Sequence, residues 1–171
     1  MLAGLVFLAG MAGCGGTTTY DGFFVEISAP AGLSVDQVQL WIVKSSGGET
    51  LVAPRDESLA GDYRFDTTGR DLESDPYLVR LVPGERFQGG VRIVAVGRSG
   101  TAAMARGWAD GNLDEKQAVK VEMLAIPSGC DSDRDGFADC GRAGCCAPAD
   151  PFPDCDDGQE AATPVGFEDD C

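Results

Sequence analysis

The sequence predicts a mainly β protein, an antiparallel β-sandwich followed by a small, irregular, disulfide-rich segment. Three observations lead there. From Gly22 to Ile126, short apolar runs alternate with polar residues at period two, and no sustained helical stripe occurs. Gly- and Pro-containing turn signals separate these runs. Residues 130–171 then collect six of the seven cysteines and 12 acidic side chains against 2 basic ones.

Residues 1–13, MLAGLVFLAGMAG, form an uncharged apolar run. A membrane-spanning helix needs about 20 such residues, so this run fits the apolar core of a secretory signal peptide. Residues 14–21 begin Cys-Gly-Gly-Thr-Thr-Thr, a small polar tether.

The sandwich is expected over 22–127. Phe23, Val25 and Ile27 alternate with Phe24, Glu26 and Ser28, and Ala29-Pro30-Ala31-Gly32 closes the run. Val38, Leu40 and Ile42 form the next inward set, ended by Ser45-Ser46-Gly47-Gly48. Leu51 and Val52 meet Pro54; Tyr63 and Phe65 alternate with Asp62, Arg64 and Asp66; Tyr77, Val79 and Leu81 lead into Pro83-Gly84. Val94 and Val96 alternate with Arg92 and Arg98, while Val91, Ile93 and Ala95 make that strand apolar on both faces. It is therefore the expected central, doubly covered strand. Met104 to Trp108 and Val119 to Ile126 complete the series, separated by Asp110-Gly111-Asn112, and only Asn112 to Ala118 allows a short helical turn. Seven or eight strands over about 105 residues suit a two-sheet sandwich in which each strand buries one face.

Residues 128–171 cannot hold themselves together by burial. From residue 130 onward the large apolar residues are Phe137, Phe152, Val165 and Phe167, too few to offset the ordering entropy of the segment. Its net charge of −10, out of −15 for the chain, opposes collapse further. Covalent and ionic ties must substitute. Cys130, Cys140, Cys145, Cys146, Cys155 and Cys171 are available for disulfides, and with an export signal the compartment is oxidising. Six cysteines allow 15 pairings; a vicinal Cys145–Cys146 bond is strained, which favours other partners for both. The spacings contain no C-x-x-C pair, which argues against thiolate zinc.

Between the first two cysteines lies Asp131-Ser132-Asp133-Arg134-Asp135-Gly136-Phe137-Ala138-Asp139. Calcium takes six to eight hard oxygens at flexible distances. Carboxylates at alternate positions of a turning loop converge on one point, and glycine at the sixth position supplies the bend. Asp131, Asp133, Asp135, the Phe137 carbonyl and Asp139 are thus candidate ligands for calcium. Further ligands are expected from Asp154, Asp156 and Asp157 in the second acidic run. An all-oxygen set suits a hard cation better than copper.

Several functions are excluded or disfavoured. The chain has no histidine, hence no His-based triad and no imidazole ligand. Its acidity disfavours nucleic acid, whose phosphates need Lys and Arg. Asp56-Glu57 and the acids of 71–75 lie in loop-like stretches where solvation is the ordinary explanation. Phosphate-cradling glycine loops are also lacking, so no catalytic residue is assigned and the chain is not expected to be an enzyme. Trp41 and Trp108 are candidates for a carbohydrate platform, with core packing as the alternative; Trp41 falls on the strand face opposite Val38, Leu40 and Ile42.

Met11-Ala12-Gly13-Cys14 resembles a bacterial lipobox, with Met11 where leucine is usual and no Lys or Arg before the run. The resemblance implies lipidation of Cys14, a membrane anchor and, with Gly15 following, outer-membrane sorting. The stretch from Leu81-Val82-Pro83-Gly84 through Gly100 loosely resembles immunoglobulin-like and fibronectin-type modules. The D-x-D-x-D-G-x-x-D run matches the first nine positions of an EF-hand loop, but Arg142 stands at the twelfth. It is closer to the calcium loops of thrombospondin type 3 repeats, while Asp154-Cys155-Asp156-Asp157 resembles bacterial Asp-Cys-Asp-Asp metal-binding repeats. Together these imply a calcium-stabilised envelope lipoprotein with a surface protein or glycan as ligand.

Overall fold

The computed structural model describes residues 21–44, 50–53, 63–82, 89–127, 129–131, 136, 138–139, 145 and 153–154. Among these, nine strands make the sandwich: β1 (Phe23–Ser28), β2 (Gln37–Lys44), β3 (Thr50–Ala53), β4 (Arg64–Asp66), β5 (Tyr77–Leu81), β6 (Gly90–Ser99), β7 (Ala102–Asn112), β8 (Ala118–Glu122) and β9 (Leu124–Ala125). The smaller sheet runs β5-β1-β8; the larger runs β3-β2-β6-β7-β9, with β4 also paired to β2. A separate bridge joins β10 (Ala138–Asp139) to β11 (Pro153–Asp154).

The period-two pattern explains the core. Phe23, Val25 and Ile27 of β1, with Val119 and Val121 of β8, pack with Val38, Leu40 and Ile42 of β2 and Val91, Ile93 and Ala95 of β6. Each fully buried large side chain in such a set contributes roughly 1.5–3 kcal/mol relative to exposure. As expected, β6 is the central strand of the large sheet, flanked by β2 and β7. The face assignment corrects the sequence reading that set Val94 and Val96 against Arg92 and Arg98: all four are even-numbered and share the face turned away from the core. Val94 and Val96 are nevertheless wholly buried.

Other differences have local causes. The sandwich is not purely antiparallel, because β1 pairs β5 antiparallel and β8 parallel, with Val25 opposite Val119. Asp110-Gly111-Asn112 does not end the strand before it. The β6–β7 ladder continues to Gly90 opposite Asn112, and Gly111 serves packing, since a Cβ there would come within 2.5 Å of the Phe23 ring. The turn instead follows Asn112, whose side-chain oxygen accepts from the Asp114 N–H at 3.1 Å while its carbonyl accepts from the Glu115 N–H at 3.0 Å. The apolar run Val119 to Ile126 is two strands in two sheets. Met123 is the crossing residue, wholly buried, with its N–H donating to the Ser28 carbonyl at 2.9 Å. This switch adds β9 to the expected count of seven or eight.

The acids of 71–75 are surface turn residues, as expected. Asp71 accepts from the Ser74 hydroxyl at 2.7 Å and the Glu73 N–H at 3.1 Å, and Arg70 reaches Asp75 at 3.2 Å. The Ser74 and Glu73 bonds hold the Asp71 carboxyl below its ordinary pKa, and the Thr68 backbone N–H does the same for Asp66. Lowered folded-state pKa values mean that these bonds stabilise the fold above the unfolded carboxylate pKa, about 4, and lose that contribution as pH falls through the folded values. Asp71→Asn should therefore lower the thermal midpoint at pH 7 and leave it unchanged at the acid end of a scanning-calorimetry pH series.

Candidate metal centre

The sandwich ends at a pinned corner. Cys130 is buried, its N–H donates to the Pro127 carbonyl at 3.2 Å, and its sulfur is joined to Cys145 with a Cα–Cα distance of 5.2 Å. Of the 15 pairings the sequence allowed, one bond is thus assigned. The vicinal cysteine Cys145 pairs away from Cys146, as its geometry demanded. Cys140, Cys146, Cys155 and Cys171 lie outside the described residues, as do Cys14 and the metal candidates Asp133, Asp135, Phe137, Asp156 and Asp157.

Two features of the acidic loop are described. Gly136, its sixth residue, has φ of +107°, a conformation that side-chain-bearing residues rarely adopt. Its N–H donates to Asp131 Oδ2 at 3.1 Å. Position six is therefore folded back onto position one. The second feature is the register of the β10–β11 bridge: Ala138 pairs Pro153 and Asp139 pairs Asp154. The backbone thereby brings Asp154, the first residue of the second acidic run, alongside Asp139, the ninth position of the first. Neighbouring strands lie about 4.8 Å apart. Among the described residues, no group of three or more acidic or cysteine side chains is gathered closely enough to hold an ion.

Sequence reasoning located the loop but missed its setting. A Cβ on Gly136 would lie 2.6 Å from Val96 Cγ1 and 3.5 Å from Ala103 Cβ, so the loop's bend rests on the outer face of the large sheet. The signal was present in β6: a strand apolar on both faces needs a cover on each.

Trp41 is on the face opposite Val38, Leu40 and Ile42, as the alternation required, but it is only 6% exposed and packs with Val94 and Val96. Trp108 is partly buried against the same cluster. Sugar stacking needs an open indole face, which Trp41 does not offer in this arrangement. Its indole N–H is buried and makes no hydrogen bond.

No protein-family model matches the chain, and no curated protein or solved structure compared with it matches either.

Proposed function

We propose that this chain is a cell-envelope lipoprotein, anchored through Cys14 and sorted to the outer membrane, whose C-terminal segment is ordered by calcium. Its role is structural or adhesive. The two-sheet body acts as immunoglobulin- and fibronectin-like modules do, as a rigid spacer that presents the acidic segment. The observation that carries the reading is the bend at Gly136, with its N–H closed onto Asp131 at the start of D-x-D-x-D-G. The Asp139–Asp154 register adds support, because it supplies a second source of carboxylates. Asp131, Asp133, Asp135, Asp139 and the Phe137 carbonyl, with Asp154, Asp156 and Asp157, would hold the ion. Calcium supplies charge neutralisation and cross-linking there, and no chemistry.

Limited proteolysis tests this. Millimolar calcium should protect residues 130–171 in the full chain, and Asp133→Ala and Asp135→Ala should each remove most of that protection. Equal cleavage with calcium and with a chelator would overturn the reading.

A further inference from the structure

The outer face of the large sheet is the feature that the calcium reading leaves unexplained. On it, β2, β6 and β7 place Trp41, Val94 and Trp108 in one cross-strand row, since Trp41 is opposite Val94 and Val94 is opposite Trp108. One register step along, Gln39, Val96 and Arg106 form the next row. A sheet face turned away from its core is ordinarily solvated. Here Gln39 is 2%, Trp41 6% and Arg106 7% exposed, while Val94 and Val96 are wholly buried.

We infer that this face is the docking surface for the chain's own Cys/Asp-rich segment, so that residues 130–171 are a third layer of one folded unit rather than an appended module. Three observations carry this. Gly136 is seated on Val96 and Ala103, closely enough that a side chain there would collide with Val96. The segment is pinned to the end of the sandwich by the buried Cys130 and its bond to Cys145. Charge is complementary as well: the face carries Arg92, which is paired with Asp110, Arg98, which is bonded to Gln39 and the Thr101 carbonyl, and Arg106, whereas the segment carries net −10. The seating of Gly136 on Val96 and the Cys130–Cys145 tie place this segment, rather than a second copy or a glycan, at the face.

Both tryptophans of the chain lie on this face, so intrinsic fluorescence reads it directly. In the full wild-type chain, emission should be blue-shifted and poorly quenched by acrylamide. Gly136→Val, which collides with Val96, should raise the quenching constant several-fold while far-UV circular dichroism stays that of a β protein. Ala103→Asp, which leaves the loop sequence intact and adds a like charge beneath it, should do the same. Wild-type quenching at the level of free tryptophan would overturn the inference, as would variants that keep the β spectrum and the wild-type quenching. Protection that falls on dilution would also overturn it, by identifying a second copy as the cover. The calcium reading is separable. If calcium changes neither quenching nor proteolysis but both variants still expose the tryptophans, docking stands and the calcium reading fails. If calcium protects against protease while the variants quench like wild type, the reverse holds.

Discussion

Gly107→Ala is expected to be the most damaging one-carbon change in the sandwich, costing about 3 kcal/mol or more. The reason lies where the chain changes sheets. A Cβ on Gly107 would meet the Glu122 carbonyl and stand 2.9 Å from Met123 Cα. These are backbone atoms of the crossing between β8 and β9, and they have no rotamer to yield. Moving them would break the Met123 N–H bond to Ser28 and lift the wholly buried Met123 from the core. Against a domain stability of about 5–15 kcal/mol, the loss is a large share. Urea denaturation should show a lower midpoint with an unchanged slope. A loss below 1 kcal/mol would mean that the two sheets do not approach at Gly107. Gly111→Ala is expected to be milder, because the Phe23 ring it meets is a side chain that can tilt.

The second large effect belongs to the Cys130–Cys145 bond, which spans 15 residues. Closing a loop of that size removes unfolded-state entropy worth about 3 kcal/mol. The double change Cys130→Ala/Cys145→Ala avoids leaving one unpaired thiol. At about 2–4 °C per kcal/mol for a chain of this size, it should lower the thermal midpoint by roughly 6–12 °C. It should also speed cleavage within residues 130–171 in the native state, because the segment loses its tie to the corner at Pro127. An unchanged midpoint together with unchanged cleavage would show that other links hold this corner.

The sandwich was legible because half-buried strands write themselves at period two. β1 and β2, and the central place of β6, follow from residues such as Val25, Leu40 and Ile93, whose burial one sheet face dictates. What the pattern concealed was non-local. Gly111 looks like turn punctuation, yet its spacing comes from Phe23 on the opposing sheet. Met123 follows the alternating Val119-Lys120-Val121-Glu122 and opens the apolar stretch Met123-Leu124-Ala125-Ile126, and nothing local shows that the chain changes sheets there. The parallel pairing of β1 with β8 likewise depends on strands about a hundred residues apart.

The acidic loop was legible for a different reason. Alternate carboxylates with glycine sixth encode a local bend, and Gly136 adopts it. Its second task, resting against Val96 and Ala103, depends on the sheet's outer face and could not be read from the loop. Trp41 shows the same limit. Alternation assigned its face correctly, but only tertiary packing reveals that the face is covered.

The central claim is that calcium orders the acidic segment, and a calorimetric titration of the full chain, stripped of metal, tests it most directly. The account predicts saturable heat with a dissociation constant of about 10⁻⁴–10⁻³ M, the range of extracellular modules. It also predicts a higher thermal midpoint, since ligand at a hundred times its dissociation constant adds about 2.7 kcal/mol. No heat at millimolar calcium, with no change in midpoint, would contradict it.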